Sequence, residues 1–179
     1  MQIASQMNIV AKNPIAAAAA AIAIAGGATI LGAWIFQYGL GLAPCPLCLE
    51  QRIPYYIAIP LAVVVVFGAL RSVPRGPLLA GLIVVALILL WGAGLGAYHA
   101  GIEWKWWAGP QDCSGPVTSL GTGGNLLQRI ETTHVVRCDE AAWRFLGLSL
   151  AGYNVLISLA LAAIALWGAV ATLQLTRSY

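Results

Sequence analysis

Long apolar runs, broken by short polar ones, set the pattern of this chain. The first runs from Pro14 to Phe36 without a charged residue. At about 1.5 Å per residue it reaches about 35 Å, enough to cross a hydrocarbon core of roughly 30 Å. The second, Ile53 to Leu70, is the shortest. Pro54 falls in its first turn, where a missing N–H costs little, and Pro60 inside it predicts a kink or a break. The third runs from Leu78 to Tyr98 and the fourth from Ser149 to Leu173. Lipid offers no water to backbone polar groups, so all four are predicted to be helices. Gly92, Gly94 and Gly96 in the third run, and alanines throughout, let helix backbones approach closely. The expected fold is all-α: one membrane domain over residues 1–179, a polytopic four-helix transmembrane bundle.

Composition agrees. The chain is 60% hydrophobic and 8% charged, where a soluble domain carries roughly 25% charged residues. The net charge of +3 is scattered along the sequence, and no basic run reads as a nucleic-acid patch. No span carries a charge near its centre, which argues against a coupled transporter. Lys12, the apolar run after it and Ala23-Ile24-Ala25 resemble a cleavable signal peptide. The run continues past Gly26 to Phe36, too long for such a segment, and is read as a span.

The connections are unequal. Residues 37–52 form a short loop, 71–77 a tight basic turn, and 99–148 a long polar loop between the third and fourth helices. Connections that long are usually functional. Within it, Leu126, Leu127, Ile130 and Val135 fit either a short helix on the membrane surface or an ordinary loop. Lys12, Arg71, Arg75 and Arg177 fall on one side of the membrane. The positive-inside rule then makes both termini cytoplasmic and puts the loops at 37–52 and 99–148 outside, the long one periplasmic. That is the oxidising side, where disulfides persist.

Both of those loops carry cysteines. Cys45 and Cys48 form a Cys-Pro-Leu-Cys unit just before a helix. Exposed N–H groups at a helix start stabilise a thiolate, and Arg52, four residues after Cys48, falls on the same helical face. A stabilised thiolate at the membrane boundary is a good leaving group and a possible donor to an acceptor dissolved in the membrane. A zinc site made from all four cysteines fits poorly, because only one pair has the tight spacing zinc favours; no metal is expected. Cys113 and Cys138 are open to two readings, a staple across the long loop or a pair that exchanges disulfides. Two pairs on one membrane face favour exchange. The competing class is a structural or assembly membrane protein with a stapled external loop, whose Cys45–Cys48 pair would be redox-inert.

Three stretches carry a family resemblance. Cys45-Pro46-Leu47-Cys48-Leu49-Glu50-Gln51-Arg52 after the first span resembles the active-site segment of the disulfide bond formation protein B (DsbB) family. Tyr98-His99-Ala100-Gly101-Ile102-Glu103-Trp104 is similar to that family's pattern at the end of the third span. So is Cys138-Asp139, with the run from Trp143 to Asn154 that enters the fourth. The resemblance covers about Ala16 to Leu173. It implies a thiol-disulfide:quinone oxidoreductase of the bacterial inner membrane. Such an enzyme reoxidises a periplasmic thioredoxin-fold dithiol oxidase (DsbA-like) and passes the electrons to a membrane quinone, with ubiquinone the first choice.

By the same resemblance, Cys113 takes the partner in a mixed disulfide and Cys138 attacks Cys45. Cys48 becomes the thiolate facing the quinone, Arg52 stabilises negative charge there, and His99 lies near the quinone ring. Each polar group also has a plainer reading. Arg52 can snorkel from a helix end, His99 can bond backbone at the interface, Glu103 is expected to be solvated, and Trp104, Trp106 and Trp107 read as an interfacial belt.

Overall fold

The computed structural model describes residues 13–110 and 137–177, with side chains through Leu175. Cys113 and the candidate surface helix at 125–136 lie outside the described residues. Helix α1 spans Pro14–Trp34 and continues into a π-helical turn at Ile35–Gly39. A short helix α2 follows at Pro46–Glu50, then α3 at Ile53–Leu70, α4 at Arg75–Glu103 and α5 at Leu150–Arg177. Four segments are long and apolar enough to cross a membrane: Pro14–Gly39, Pro46–Leu70, Arg75–Glu103 and Leu150–Leu175. The all-α reading therefore holds, and the protein is a multi-pass membrane helical bundle.

Local chemistry sets the helix ends. Asn13 caps α1, its side chain accepting from the Ile15 N–H at 3.2 Å, with Pro14 as the first helical residue. Pro54 occupies the first turn of α3, and the helix runs through Pro60 without a break. Helix α4 ends in a left-handed cap. Lys105 has φ 63, its N–H reaches Ile102, and the Trp106 N–H reaches Gly101. This is a Schellman closure with lysine in the place glycine usually takes.

Helix α1 packs on α3 and α5, and α4 packs on the same two, so α1 and α4 face each other across the diagonal. The seams are lined with small residues. Ala16, Ala19, Ala62, Ala86 and Ala165 are fully or almost fully buried, and Leu82, Leu89 and Tyr55 fill between them. Lipid gives no hydrophobic reward for helix association, so close backbone contact has to hold the bundle together. The outward face is apolar as a membrane requires, with Phe67, Leu87, Trp91 and Trp167 exposed.

Among the described glycines the tightest approach of one membrane helix to another is at Gly168 of α5. A Cβ there would stand 2.5 Å from the Ala18 Cβ and 3.1 Å from the Pro14 carbonyl oxygen of α1. Both obstacles are rigid, so Gly168→Val is expected to push α1 and α5 apart. The cost should be about 1–3 kcal/mol, read as a lower unfolding temperature in detergent. An unchanged midpoint would mean that this seam yields freely.

Two segments differ from expectation. The cysteine loop is nearly all helical: α2 passes through one turn into α3, with the Gln51 N–H on the Leu47 carbonyl and the Tyr56 N–H on the Arg52 carbonyl. Helix α4 runs past Tyr98 to Glu103, so His99 and Glu103 belong to the helix and are buried rather than solvated. Among the described residues the long loop also carries a hairpin. Strands β1 (Arg144–Phe145) and β2 (Leu148–Ser149) pair antiparallel, Arg144 opposite Ser149 and Phe145 opposite Leu148. Leu146 at φ 49 and Gly147 at φ 84 form a two-residue turn whose positive φ at both positions suits a tight hairpin.

Candidate functional site

The site grows from the start of α2. Cys45 is the N-cap residue, its sulfur accepting from the Cys48 N–H at 3.2 Å. Pro46 fixes the first helical position and needs no N–H partner. One turn of helix returns Cys48 to the same side, and the two sulfurs lie 2.7 Å apart, Cys45 donating to Cys48. Both are free thiols, whereas Cys138 is held in a disulfide. The hydrogen bond to Cys48, then burial, push the Cys45 thiol up from its ordinary range. Cys45 therefore keeps its proton and shares it with its neighbour.

Cys45 and Cys48 both pack in one cluster, but only Cys48 also reaches a cavity. Cys45 is buried in one apolar cluster with Leu47, Ile102 and the fully buried Cys138. Cys138 thus packs beside the first cysteine pair. Cys48 also lines a cavity of about 430 Å³. Arg52 and Gln51 line it too, with Phe36 and Gln37 from the π-helical turn and Trp143 and Phe145 from beside and within the hairpin. Aromatic rings form one wall: Phe36 and Trp143 have centroids 5.2 Å apart, and Trp143 stacks on Phe145 at 5.8 Å. The Arg52 guanidinium donates to Gln37 Oε1 at 2.6 Å, which fixes it in the lining.

His99 does not line this cavity. Its ring stands behind Gln51, with Nε2 3.6 Å from the Cys45 sulfur and Nδ1 2.6 Å from the Gln51 side-chain nitrogen. The ring also hydrogen-bonds the backbone of Cys138. It therefore sits where the two cysteine pairs meet, one residue removed from the space it was expected to border. Glu103, one turn further along α4, places Oε1 3.9 Å from His99 Nε2.

A buried polar chain extends from this point. Asn154 Nδ2 donates to Gln51 Oε1 at 2.8 Å, Ser158 Oγ reaches Asn154 Oδ1 at 3.5 Å, and Tyr55 and Ser158 share a hydroxyl contact at 2.8 Å. Sequence reasoning assigned no role to Gln37, Gln51, Trp143 or Asn154. Three of them lie within the stretches quoted for the resemblance, but the pairings that give them meaning join residues up to about a hundred positions apart.

Charges outside the membrane hold the Cys138 segment. Lys105, set by its left-handed cap, places Nζ 2.6 Å from Asp139 Oδ2 and 3.1 Å from the Asp139 carbonyl. Arg137 adds two bonds to the same carboxylate, at 3.0 and 2.8 Å. Bonds from Arg137 and then Lys105 hold the Asp139 carboxyl down at about 2, from an ordinary 3.8. A depressed carboxyl stabilises the folded form above its ordinary value, and that contribution is lost as pH falls through about 2. Asp139→Asn is thus expected to raise amide hydrogen exchange at residues 137–140 several-fold at neutral pH, with the two proteins converging as pH is lowered through about 2. Equal exchange at neutral pH would show that the ion pairs hold nothing.

A membrane bundle whose cysteine pair packs beside a third, buried cysteine and reaches an apolar cavity through one of its two members is a membrane-embedded thiol–disulfide protein. The chain belongs to the disulfide bond formation protein B family: residues 15–168 match the family model described as Disulfide bond formation protein DsbB. A Disulfide bond formation protein B of Xanthomonas oryzae pv. oryzae is 34% identical over 153 residues, 79% of this chain and 81% of the relative. Those of Xanthomonas campestris pv. campestris and Polaromonas sp. are 33% and 29% identical, each across 73% of this chain and 76% of the relative. No solved structure matches. The protein is accordingly a disulfide oxidoreductase that serves disulfide bond formation.

Proposed function

We propose that this protein reoxidises a DsbA-like thioredoxin-fold dithiol oxidase in the periplasm and delivers the electrons to a quinone of the bacterial inner membrane. The observation that carries this reading is the division of labour within one helical turn: Cys45 packs against Cys138, while Cys48 opens into a cavity it shares with Arg52. The basic turn between α3 and α4 lies at the far end of α3 from the cysteines, in keeping with cytoplasmic termini and periplasmic cysteine loops.

The relay runs by thiol–disulfide exchange. The partner's thiolate attacks Cys113 of the Cys113–Cys138 disulfide, and Cys138 leaves as the thiolate. Resolution of the mixed disulfide by the partner's second thiol releases an oxidised partner. Cys138 attacks Cys45 of the Cys45–Cys48 disulfide, Cys48 leaves as thiolate, and Cys113 then closes back on Cys138 to release Cys45. The net result is one partner dithiol oxidised and the Cys45–Cys48 pair reduced.

The cavity fits a quinone head group. Its aromatic wall suits a flat apolar ring, and Arg52 offers a charged donor to a carbonyl oxygen. A bound quinone supplies a two-electron acceptor, with ubiquinone the first candidate. Cys48 is the sulfur placed to donate. Cys45 carries the second sulfur and the proton it shares with Cys48, and closing the two restores the disulfide. Arg52, steadied by Gln37, stabilises negative charge in the cavity. His99 orients the exchange junction by holding the Cys138 backbone beside Cys45.

Purified protein supplied with a reduced thioredoxin-fold dithiol and ubiquinone should bleach the quinone absorbance over many turnovers. A protein that exchanges disulfides with the dithiol yet consumes no quinone would defeat the reading and leave a stapled membrane scaffold.

A further inference from the structure

Three ligand atoms converge at the reduced cysteine pair. The Cys45 and Cys48 sulfurs and a ring nitrogen of His99 all lie within 4.8 Å of one another. Thiolate and imidazole are the donors preferred by zinc and its soft relatives, and Cys-x-x-Cys is the commonest half-site for such ions.

The spacing can be tested against coordination geometry. With Zn–S near 2.3 Å and Zn–N near 2.0–2.1 Å, a tetrahedral site puts sulfur and nitrogen about 3.5 Å apart. The distance from Cys45 Sγ to His99 Nε2 is 3.6 Å. Two sulfurs on one ion stand about 3.8 Å apart by the same bond lengths, so the pair at 2.7 Å must open by about 1 Å. Rotation about χ1 of Cys48, which borders the cavity, supplies that movement.

A fourth donor stands close by: Glu103 lies outside the cluster of three, its carboxylate bonded to the Ser149 side chain, and it has to turn inward to join the ion. Glu103 is buried on the same face of α4, its Oε1 3.9 Å from His99 Nε2. Its other oxygen, Oε2, is buried without a hydrogen-bond partner in the structure. An orphaned carboxylate oxygen in an apolar site costs free energy until a cation or donor reaches it. The outer shell fits as well. A metal-bound histidine gives its second ring N–H to a carbonyl or carboxylate, and His99 Nδ1 faces the Gln51 side-chain amide at 2.6 Å. Turning that amide end for end presents Oε1 to the ring, provided the Asn154 amide turns with it so that Asn154 Oδ1 accepts from Gln51 and Asn154 Nδ2 faces the Ser158 hydroxyl.

We propose that the reduced protein binds one soft divalent ion, Zn2+ being the natural case, through Cys45, Cys48, His99 and Glu103. Coordination displaces any proton the two thiols hold, since only thiolates ligate. Both sulfurs are then occupied as ligands, and His99 Nε2 is committed to the ion. The metal-bound state is therefore a closed one: it neither donates electrons from Cys48 nor accepts exchange at Cys45. Oxidation to the Cys45–Cys48 disulfide removes two of the four ligands, so the site exists only in the dithiol state. The binding itself does not depend on the quinone reading.

Co2+ is a direct probe, because thiolate ligation gives ultraviolet charge-transfer absorption and tetrahedral geometry gives intense visible bands. Anaerobic, dithiol-state protein in detergent should develop both signals to a stoichiometry of one, with Zn2+ displacing the cobalt. The signals should persist in Cys113→Ser/Cys138→Ser, where only the first pair remains. Glu103→Gln and His99→Ala should each weaken binding by at least about tenfold, the scale of losing support at a metal centre. Oxidised wild-type protein, which needs no substitution, should give no signal. Binding to the oxidised protein, loss of the signal in the double serine variant, or equal affinity in Glu103→Gln, His99→Ala and wild type would each overturn the four-ligand site. None of these readings involves quinone or partner, so failure here is distinguishable from failure of the proposed electron transfer.

Discussion

Cys48→Ser is expected to stop quinone reduction, lowering turnover by roughly three orders of magnitude or more, as loss of a covalent participant does. Serine preserves size and position, so the cavity and the α2 turn should remain. Attack on the loop disulfide should survive, because Cys113 and Cys138 are untouched. Cys138→Ser should give the complementary picture: the Cys113 thiol, attacking an oxidised partner with no Cys138 to displace the partner again, should accumulate as a mixed disulfide visible on a non-reducing gel. The two variants together fix the order of electron flow. Normal quinone turnover in Cys48→Ser would reassign the terminal donor.

Arg52→Met should lower quinone turnover by about 10- to 100-fold, the equivalent of losing one hydrogen bond to a charged group at roughly 1.5–3 kcal/mol. Methionine keeps most of the apolar stem but removes the charge and the fork. Arg52 borders the cavity with Cys48 and is anchored by Gln37, so its loss should act on quinone affinity and turnover together. Exchange between the two cysteine pairs should be little affected. Arg52→Lys should recover part of the loss, since it restores charge but not planar bidentate geometry. If Arg52→Met reduced quinone normally, the residue would be a snorkelling anchor and the cavity would need another electrostatic partner.

Much of this was legible in the sequence because membrane physics leaves few alternatives. Four apolar runs of spanning length had to be helices, and the structure has them. The Cys-Pro-Leu-Cys spacing before a helix marked the first pair as a candidate redox unit, while spacing alone left Cys113 and Cys138 open between a staple and an exchanging pair. What stayed hidden depends on contacts that no local pattern encodes. The end of α4 was placed at Tyr98 because polar residues begin there, yet Gly101, Ile102 and Glu103 continue the helix under the cover of the Cys138 segment. A carboxylate that reads as solvated became a buried one for the same reason. The cavity draws its lining from a π-helical turn, a two-strand hairpin and four helices, so neither Phe36 nor Trp143 announces its role alone. His99 was singled out as polar and well placed. Which sulfur or ring it serves depends on the side-chain direction from α4, and that appears only when α2 is packed against it.

The chain of side chains from Gln51 through Asn154 and Ser158 to Tyr55 has a further meaning for how the helices are aligned. Alanine-rich seams are smooth, and two such surfaces can slide along each other by a turn with little change in contact area. Hydrogen bonds between α5 and the α2–α3 segment have no such tolerance. A shift of α5 by one helical turn, about 5.4 Å, would strand four polar side chains in the bilayer interior at once. The chain therefore acts as a depth gauge. It fixes the vertical position of α5, and with it the height at which Trp143 and Phe145 meet the rest of the cavity wall.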